Sequence, residues 1–181
     1  MARKVVAAGV SAPTPPHKIV IADSSPIIGL SLIGGLDWLQ PLFGTVHITR
    51  TVRDELLTDY QTNPRAGMAL INAAIKAGSL KVIAKNYATP TFPHLDEGEA
   101  SVLAAALNQK LPCLVIIDEM LGRRAAALHD IRCIGLVGII IIAKKRRLIP
   151  KIAPALQQLQ THNFRLSDAL IAHALFAANE R

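Results

Sequence analysis

The hydrophobic positions of this chain fall into short continuous runs that alternate with longer amphipathic segments. Runs such as IVIA and CLVII contain no polar residue, as is typical of strands that are covered on both faces of a sheet. The pattern predicts strands at 19–23, 45–48, 80–84, 113–118 and 131–134. It predicts helices at 24–33, 51–57, 65–76, 97–109, 120–128, 136–147, 150–160 and 167–178, with a further turn at 36–43. Alternation of this kind predicts an α/β fold, a three-layer α/β/α sandwich with a mostly parallel sheet.

Polar residues mark where several of these helices begin. Ser24-Ser25-Pro26 supplies capping chemistry and a first-turn proline for the first helix. Thr51, Asp96 and Asp168 are the predicted caps of three later helices.

Four carboxylates stand where a parallel sheet would gather them. Asp23 and Asp118 each close an apolar strand, and Glu55 and Glu99 fall in the first turns of their predicted helices. The helices of such folds run antiparallel to the strands, so helix N-termini lie at the carboxyl edge of the sheet, where ligands bind. We therefore expect all four acids to share one rim.

The helical spacing also turns both glutamates toward the packed side of their helices. Glu55 shares a face with Val52 and Leu56, and an unpaired charge on a packed face is costly unless a cation offsets it. Each acid also has an alternative interpretation. Asp23 could accept hydrogen bonds from the following turn, Glu55 could favour a helix dipole, Glu99 could form a capping box with the aspartate at 96, and Asp118 could cap the next helix.

A cluster of carboxylates without histidine or cysteine suits a hard cation such as Mg²⁺ or Mn²⁺. The chain has 20 Lys and Arg against 13 Asp and Glu, a formal net charge of +7, which favours a polyanionic partner. The six histidines lack zinc-ligand spacing. Together these features predict metal-dependent cleavage of nucleic acid.

Basic side chains near the acids could hold the substrate. Arginine pairs well with phosphate, and cations at a helix C-terminus could bind a nucleic-acid backbone or simply complement the dipole and remain solvated. Ser24 could orient Asp23 or cap its helix. The candidate nucleic-acid-binding residues are Ser24, Arg123, Arg124, Lys144, Lys145, Arg146 and Arg147.

The remaining features predict a single domain at 19–181 in the cytoplasm. Residues 1–18 are expected to be a disordered extension, since their apolar run is short and is followed by prolines. The apolar run 134–143 is about half the length that a membrane span needs and is expected to be core. Cys113 and Cys133 are expected to be buried free thiols, which suits a reducing compartment.

Five segments, in this order and spacing, resemble the PIN-domain nucleases, and most closely a poorly characterised prokaryotic PIN-like subfamily. They are IVIADSSPIIGL, TVRDELL, LDEGEASVLAAAL, VIIDEMLGRRAA and GLVGIIIIAKKRRLIPKI. The family includes the toxin ribonucleases of toxin–antitoxin pairs. The resemblance implies a PIN fold, Mg²⁺ or Mn²⁺ in an acidic pocket, and endonucleolytic action on RNA. It carries the metal and catalytic roles over to Asp23, Glu55, Glu99 and Asp118, and it implies a homodimer and a possible antitoxin partner.

Two other functions stay open at this point. The first is a noncatalytic module of the same fold that binds RNA or a protein. The second is a metal-dependent phosphohydrolase of small molecules, which should carry an Asp-x-Asp motif on the first strand, where this chain has Asp23-Ser24-Ser25.

Overall fold

The computed structural model describes residues 19–62, 67–89 and 92–180, and for residues 59–62 it describes the backbone alone. The described strands form a five-stranded parallel sheet in the order β3-β2-β1-β4-β5. They are β1 Ile19–Ala22, β2 Val46–Ile48, β3 Leu80–Val82, β4 Cys113–Ile116 and β5 Arg132–Ile134. The predicted α/β/α sandwich is confirmed, and its sheet is entirely parallel over these strands. The predicted extension 1–18 lies outside the described residues.

Helices cover both faces of this sheet. They are α1 Ser24–Leu32, α2 Leu39–Phe43 with a preceding 3₁₀ turn Leu36–Trp38, α3 Arg50–Thr62, α4 Met68–Ala77, α5 Glu97–Leu107, α6 Met120–Leu128, α7 Leu136–Lys145, α8 Ala153–Thr161 and α9 Asp168–Ala177. Helix α1 packs against α3, α4, α7 and α8, and α5 packs against α3 and α6. The predicted helix at 65–76 begins at Met68, and positions 63–66 lie outside the described residues.

Two predicted helix caps are wrong by one or two residues. The Val52 N–H donates to Thr49 Oγ1 at 3.1 Å, so Thr49, not Thr51, caps α3. The Leu170 N–H donates to Ser167 Oγ at 3.2 Å, which makes Ser167 the cap of α9 and places Asp168 inside the helix. Since α3 begins at Arg50, Glu55 lies in its second turn and not in the predicted first turn.

Helix α5 is the most deeply placed of the described helices. All residues from Gly98 to Ala106 are buried, which explains why its sequence is apolar on every side. Thr49 Oγ1 and Ser101 Oγ form a buried hydrogen bond of 2.7 Å that ties the start of α3 to α5. Because the buried stretch includes position 99, the fold carries a glutamate into the interior at the edge of the sheet.

The apolar segment 134–143 is core, as predicted. Leu136, Ile139, Ile140 and Ala143 on α7 are buried. Within the described ranges, no single helix has both the length and the apolar composition of a membrane span. One pair of helices, 24–32 and 36–43, reaches that composition together, but the pair is bent by 112°.

Candidate functional site

Asp23 and Glu99 place two buried, unpaired oxygens at the carboxyl edge of the sheet. The Asp23 N–H donates to the Ile116 carbonyl at 2.9 Å, which fixes this residue between the ends of β1 and β4. Asp23 and Glu99 are each only 3% exposed. Asp23 Oδ1 and Glu99 Oε1 are buried and have no hydrogen-bond partner within the described part of the chain. A buried carboxylate oxygen without a donor is costly, so these atoms need a proton or a cation.

The same two residues have strongly raised pKa values. Burial raises the pKa of Asp23 from 3.8 to about 7, with further repulsion from Asp96, Glu55 and Glu99, while a Ser24 backbone hydrogen bond lowers it. Burial likewise raises the pKa of Glu99 from 4.5 to about 7, with repulsion from Asp96, Glu119 and Glu55. Glu55 and Glu99 both repel Asp23, and Glu55 also repels Glu99. These three of the four predicted acids therefore form one electrostatic cluster.

Glu55 is seated on the N-terminus of α5. Burial raises its pKa, and hydrogen bonds from the Ser24 hydroxyl and the Gly98 backbone lower it. A Cβ atom added at Gly98 would lie 2.6 Å from both carboxylate oxygens of Glu55, so only glycine leaves room for this contact. Ser24, a candidate RNA-binding residue, thus holds a carboxylate of the cluster. One alternative for Glu55 was stabilisation by a helix dipole. Its carboxylate lies at the N-terminus of α5, so the dipole that favours its charge is that of α5 and not that of α3, its own helix.

Glu99 combines the two roles that its sequence left open. Asp96 Oδ1 accepts the Glu99 N–H at 2.7 Å, and the Asp96 backbone in turn hydrogen bonds to the Glu99 carboxylate, as in a capping box. Its Oε1 nevertheless stays unpaired, and a Cβ atom added at Gly122 of α6 would lie 2.6 Å from it. The capping box therefore orients the side chain and leaves one oxygen free.

Asp118 differs from the other three acids in the helix terminus that its carboxylate contacts. Its Oδ1 accepts the Leu136 N–H at 2.8 Å, so it caps α7 and not the helix that follows it in sequence. Burial raises its pKa, the Leu136 hydrogen bond and Arg123 lower it, and Glu119 raises it. A Cβ atom added at Gly135 would lie 2.6 Å from Oδ1. Asp118 thus reaches the predicted rim, but one of its oxygens is used by a helix terminus.

Two helix-capping acids also belong to this rim and were not among the predicted site residues, and Glu97, next to the first of them, raises the pKa of Glu55 as well. Asp96 raises the pKa of Asp23, Glu55 and Glu99, and Glu119 raises that of Glu99 and Asp118. Both are N-cap residues, Asp96 of α5 and Glu119 of α6, and both are exposed. A helix N-cap in this fold lies at the carboxyl edge, and that rule could have found them from the sequence.

The predicted basic residues divide into two groups. Arg123 and Arg124 are exposed on α6 and line a groove that also contains Asp118. At the far end of α7, Lys145, Arg146 and Arg147 are exposed.

Lys144 has a structural partner. Its ammonium group contacts Glu180 Oε1 at 2.7 Å and donates to the Ala178 carbonyl at 2.7 Å. Glu180 also accepts the N–H groups of Ile152 and Ala153 at the start of α8. Burial alone would raise the pKa of Glu180, but these hydrogen bonds lower it below its usual value. We therefore leave Lys144 out of the candidate RNA-binding surface.

Substituting Lys144 should affect stability. We expect Lys144→Met to lower the free energy of unfolding by about 1–2 kcal/mol, because it leaves the partly buried Glu180 carboxylate without its counter-charge. Lys145→Met, the matched exposed control, should change it by less than about 0.5 kcal/mol. Urea denaturation of both variants measures the difference, and equal midpoints would show that the ion pair contributes nothing.

A family model described as a PIN domain matches residues 19–180. The chain belongs to the PIN-domain family. PIN domains are generally nucleases and typically use a divalent metal. The acidic edge of this PIN domain lies at the carboxyl ends of the strands, where open parallel α/β sheets bind ligands. No curated protein sequence matches the chain closely enough to add a relative to this comparison.

Proposed function

We propose that this PIN domain is a metal-dependent endoribonuclease that uses Mg²⁺ or Mn²⁺. The observation that supports this most strongly is the pair of buried, unpaired oxygens, Asp23 Oδ1 and Glu99 Oε1, in a cluster of mutually repelling carboxylates. Carboxylate oxygens are the protein ligands that hard divalent cations prefer.

The residues fit such an ion. Within the described residues, no group of three or more His, Cys, Asp or Glu side chains is already arranged around a common point. Mg²⁺ keeps several of its waters and binds proteins through one or two carboxylates, so two free oxygens satisfy its needs. Asp23 and Glu99 would hold the ion, and Glu55 would reach it directly or through water.

Each acid has a distinct assignment in this proposal. When bound, the cation supplies a more acidic water and stabilises charge on the phosphate oxygens. The Ser24 and Gly98 hydrogen bonds keep Glu55 pointed into the cluster. The Leu136 N–H holds Asp118 by Oδ1, and we assign its other oxygen to orienting the attacking water. Arg123, beside Asp118, would contact a neighbouring phosphate of the substrate.

A noncatalytic RNA- or protein-binding module gives a poorer account of the same atoms. Such a module gains nothing from burying two unpaired carboxylate oxygens, which destabilise the fold at neutral pH. The direct test is cleavage of single-stranded RNA by the purified chain with added Mn²⁺. Cleavage should stop with excess EDTA and return with fresh metal; binding without any metal-dependent cleavage would favour the noncatalytic module.

The seat of Glu55 gives a second test of the metal site. We expect Gly98→Ala to weaken Mn²⁺ binding roughly 10- to 100-fold, since the added methyl group displaces the Glu55 carboxylate. Alanine favours the helix by about 1 kcal/mol over glycine, so a loss of fold is not the expected cause. Isothermal titration calorimetry with Mn²⁺ measures the affinity, and circular dichroism checks the fold. Unchanged affinity would remove Glu55 from the metal site.

The finer biological assignments stay predictions. A toxin role, an antitoxin partner and a homodimer are proposed from the family resemblance.

A further inference from the structure

Two open grooves meet at Asp118. The loop groove, of about 670 Å³, lies between the start of α7 and the connection from α8 to α9. The helix groove, of about 700 Å³, lies between α6, α7 and α9. Asp118, Val137 and Leu170 line both grooves, so the two form one path that passes the acidic rim.

The charges along this path are arranged in a definite order. The loop groove carries Arg165, and the helix groove carries Arg123 and Arg124. Among the described residues that line the two grooves, the acids are Asp118, which lines both grooves, and the adjacent Glu119, which lines the loop groove. A ligand that spans the path therefore meets arginine, then carboxylate, then arginine.

The α8–α9 connection is built to present Arg165. Asn163 ends α8 with a left-handed φ of 62°, a conformation that asparagine tolerates well. The Phe164 N–H donates to the Leu159 carbonyl at 3.0 Å, and its ring packs on α1, where a Cβ atom added at Gly29 would lie 3.1 Å from it. Ser167 caps α9 directly afterwards. Arg165 is left exposed on a loop that is fixed at both ends.

Apolar side chains line part of each groove. Leu136, Phe164 and Leu166 line the loop groove, and Met120 and Ile141 line the helix groove. Apolar walls can receive the faces of nucleobases, which a single strand exposes and a duplex hides in its stack.

We propose that the path is a binding site for single-stranded RNA, with Arg165 and Arg123 contacting phosphates on opposite sides of the phosphate at Asp118. The proposal rests on the proposed nuclease function for what happens at that central phosphate, but the binding itself does not need catalysis. It adds Arg165, from a segment far from the acids in sequence, to the substrate-binding residues. It also accounts for cleavage within a chain, because a strand must continue in both grooves.

The test is RNA binding by Arg165→Gln and Arg123→Gln, with Lys110→Gln as the matched control. Lys110 is exposed before β4, at the opposite edge of the sheet, so its substitution removes the same charge away from the path. Fluorescence anisotropy with a labelled single-stranded RNA of about 12 nucleotides, in EDTA to prevent cleavage, gives the affinity over a range of salt concentrations.

We expect each arginine substitution to weaken binding about 5- to 10-fold and to reduce the salt slope by about 0.7, the value for one phosphate contact on a single strand. Lys110→Gln should leave the slope unchanged, and duplex RNA should bind more weakly than the single strand. An Arg165→Gln slope equal to that of Lys110→Gln would overturn the proposal, whether or not the protein cleaves RNA. A reduced slope in a chain that cleaves nothing would support the path and reject the nuclease.

Discussion

Asp23→Asn should reduce metal-dependent RNA cleavage by roughly 10²–10³-fold or more, the size of effect seen when one electrostatic group of a catalytic site is lost. The substitution keeps the shape of the side chain and turns the carboxylate, whose Oδ1 the structure leaves unpaired, into a neutral amide. The backbone N–H that fixes residue 23 to Ile116 is untouched, so the sheet edge should stay intact. Cleavage of a labelled single-stranded RNA in Mn²⁺ measures the loss.

Asp37→Asn is the matched control for this result. Asp37 is exposed on the 3₁₀ turn after α1, away from the carboxyl edge, and it undergoes the same chemical change. Both variants should be purified by the same steps, because a contaminating nuclease would persist in both. Near-normal cleavage by Asp23→Asn, with Asp37→Asn equally active and no residual host nuclease, would mean that the acidic cluster is not the catalytic site.

The sequence was sufficient to predict the sheet and the edge at which the acids collect. Continuous apolar runs such as IVIA can be satisfied only in a sheet covered on both faces, and parallel connection then places strand ends and helix starts together. This inference located Asp23 and Glu99 correctly. The inference depends on the order of strands and helices and not on side-chain contacts. It is therefore unaffected by the errors of one or two residues in the predicted caps of α3 and α9.

The parts that the sequence did not predict all depend on contacts between distant segments. Lys144 contacts the Ala178 carbonyl, 34 positions away, and the Glu180 carboxylate just beyond it, and no local pattern distinguishes it from the exposed Lys145. Asp118 was expected to bind an ion or to cap the helix that follows it, but its Oδ1 accepts a hydrogen bond from the Leu136 N–H, 18 residues away. Glu55 rests on Gly98 because Thr49 and α5 are tied together. Such pairings are decided by packing, and periodicity carries no information about them.

The metal-free protein should lose stability as the pH rises from about 5 to 8. Asp23 and Glu99 hold protons in the folded chain up to about pH 7, whereas the unfolded chain releases them near 3.8 and 4.5. The folded state therefore binds more protons over this interval, so stability is highest below the lower values and falls until about pH 7. For Asp23 alone the difference corresponds to at most about 4 kcal/mol, and coupling between the two acids makes their effects less than additive.

A divalent cation should reverse this loss, since it takes the place of the protons. In EDTA we expect the melting temperature to fall by about 10 °C between pH 5 and pH 8, and Mn²⁺ at about 100 times its Kd should restore roughly 2.7 kcal/mol at pH 8 with little effect at pH 5. Differential scanning fluorimetry at fixed ionic strength measures both.

The matched control is the double variant Asp23→Asn/Glu99→Gln, which carries the same background of other titrating groups but no buried acid pair. Its melting temperature should fall less with pH and respond little to Mn²⁺. If the melting temperatures of the unmodified chain and the double variant change in parallel with pH, the two carboxylates are not protonated in the folded state. The nuclease proposal would then lose its main support, the requirement of these buried acids for a cation.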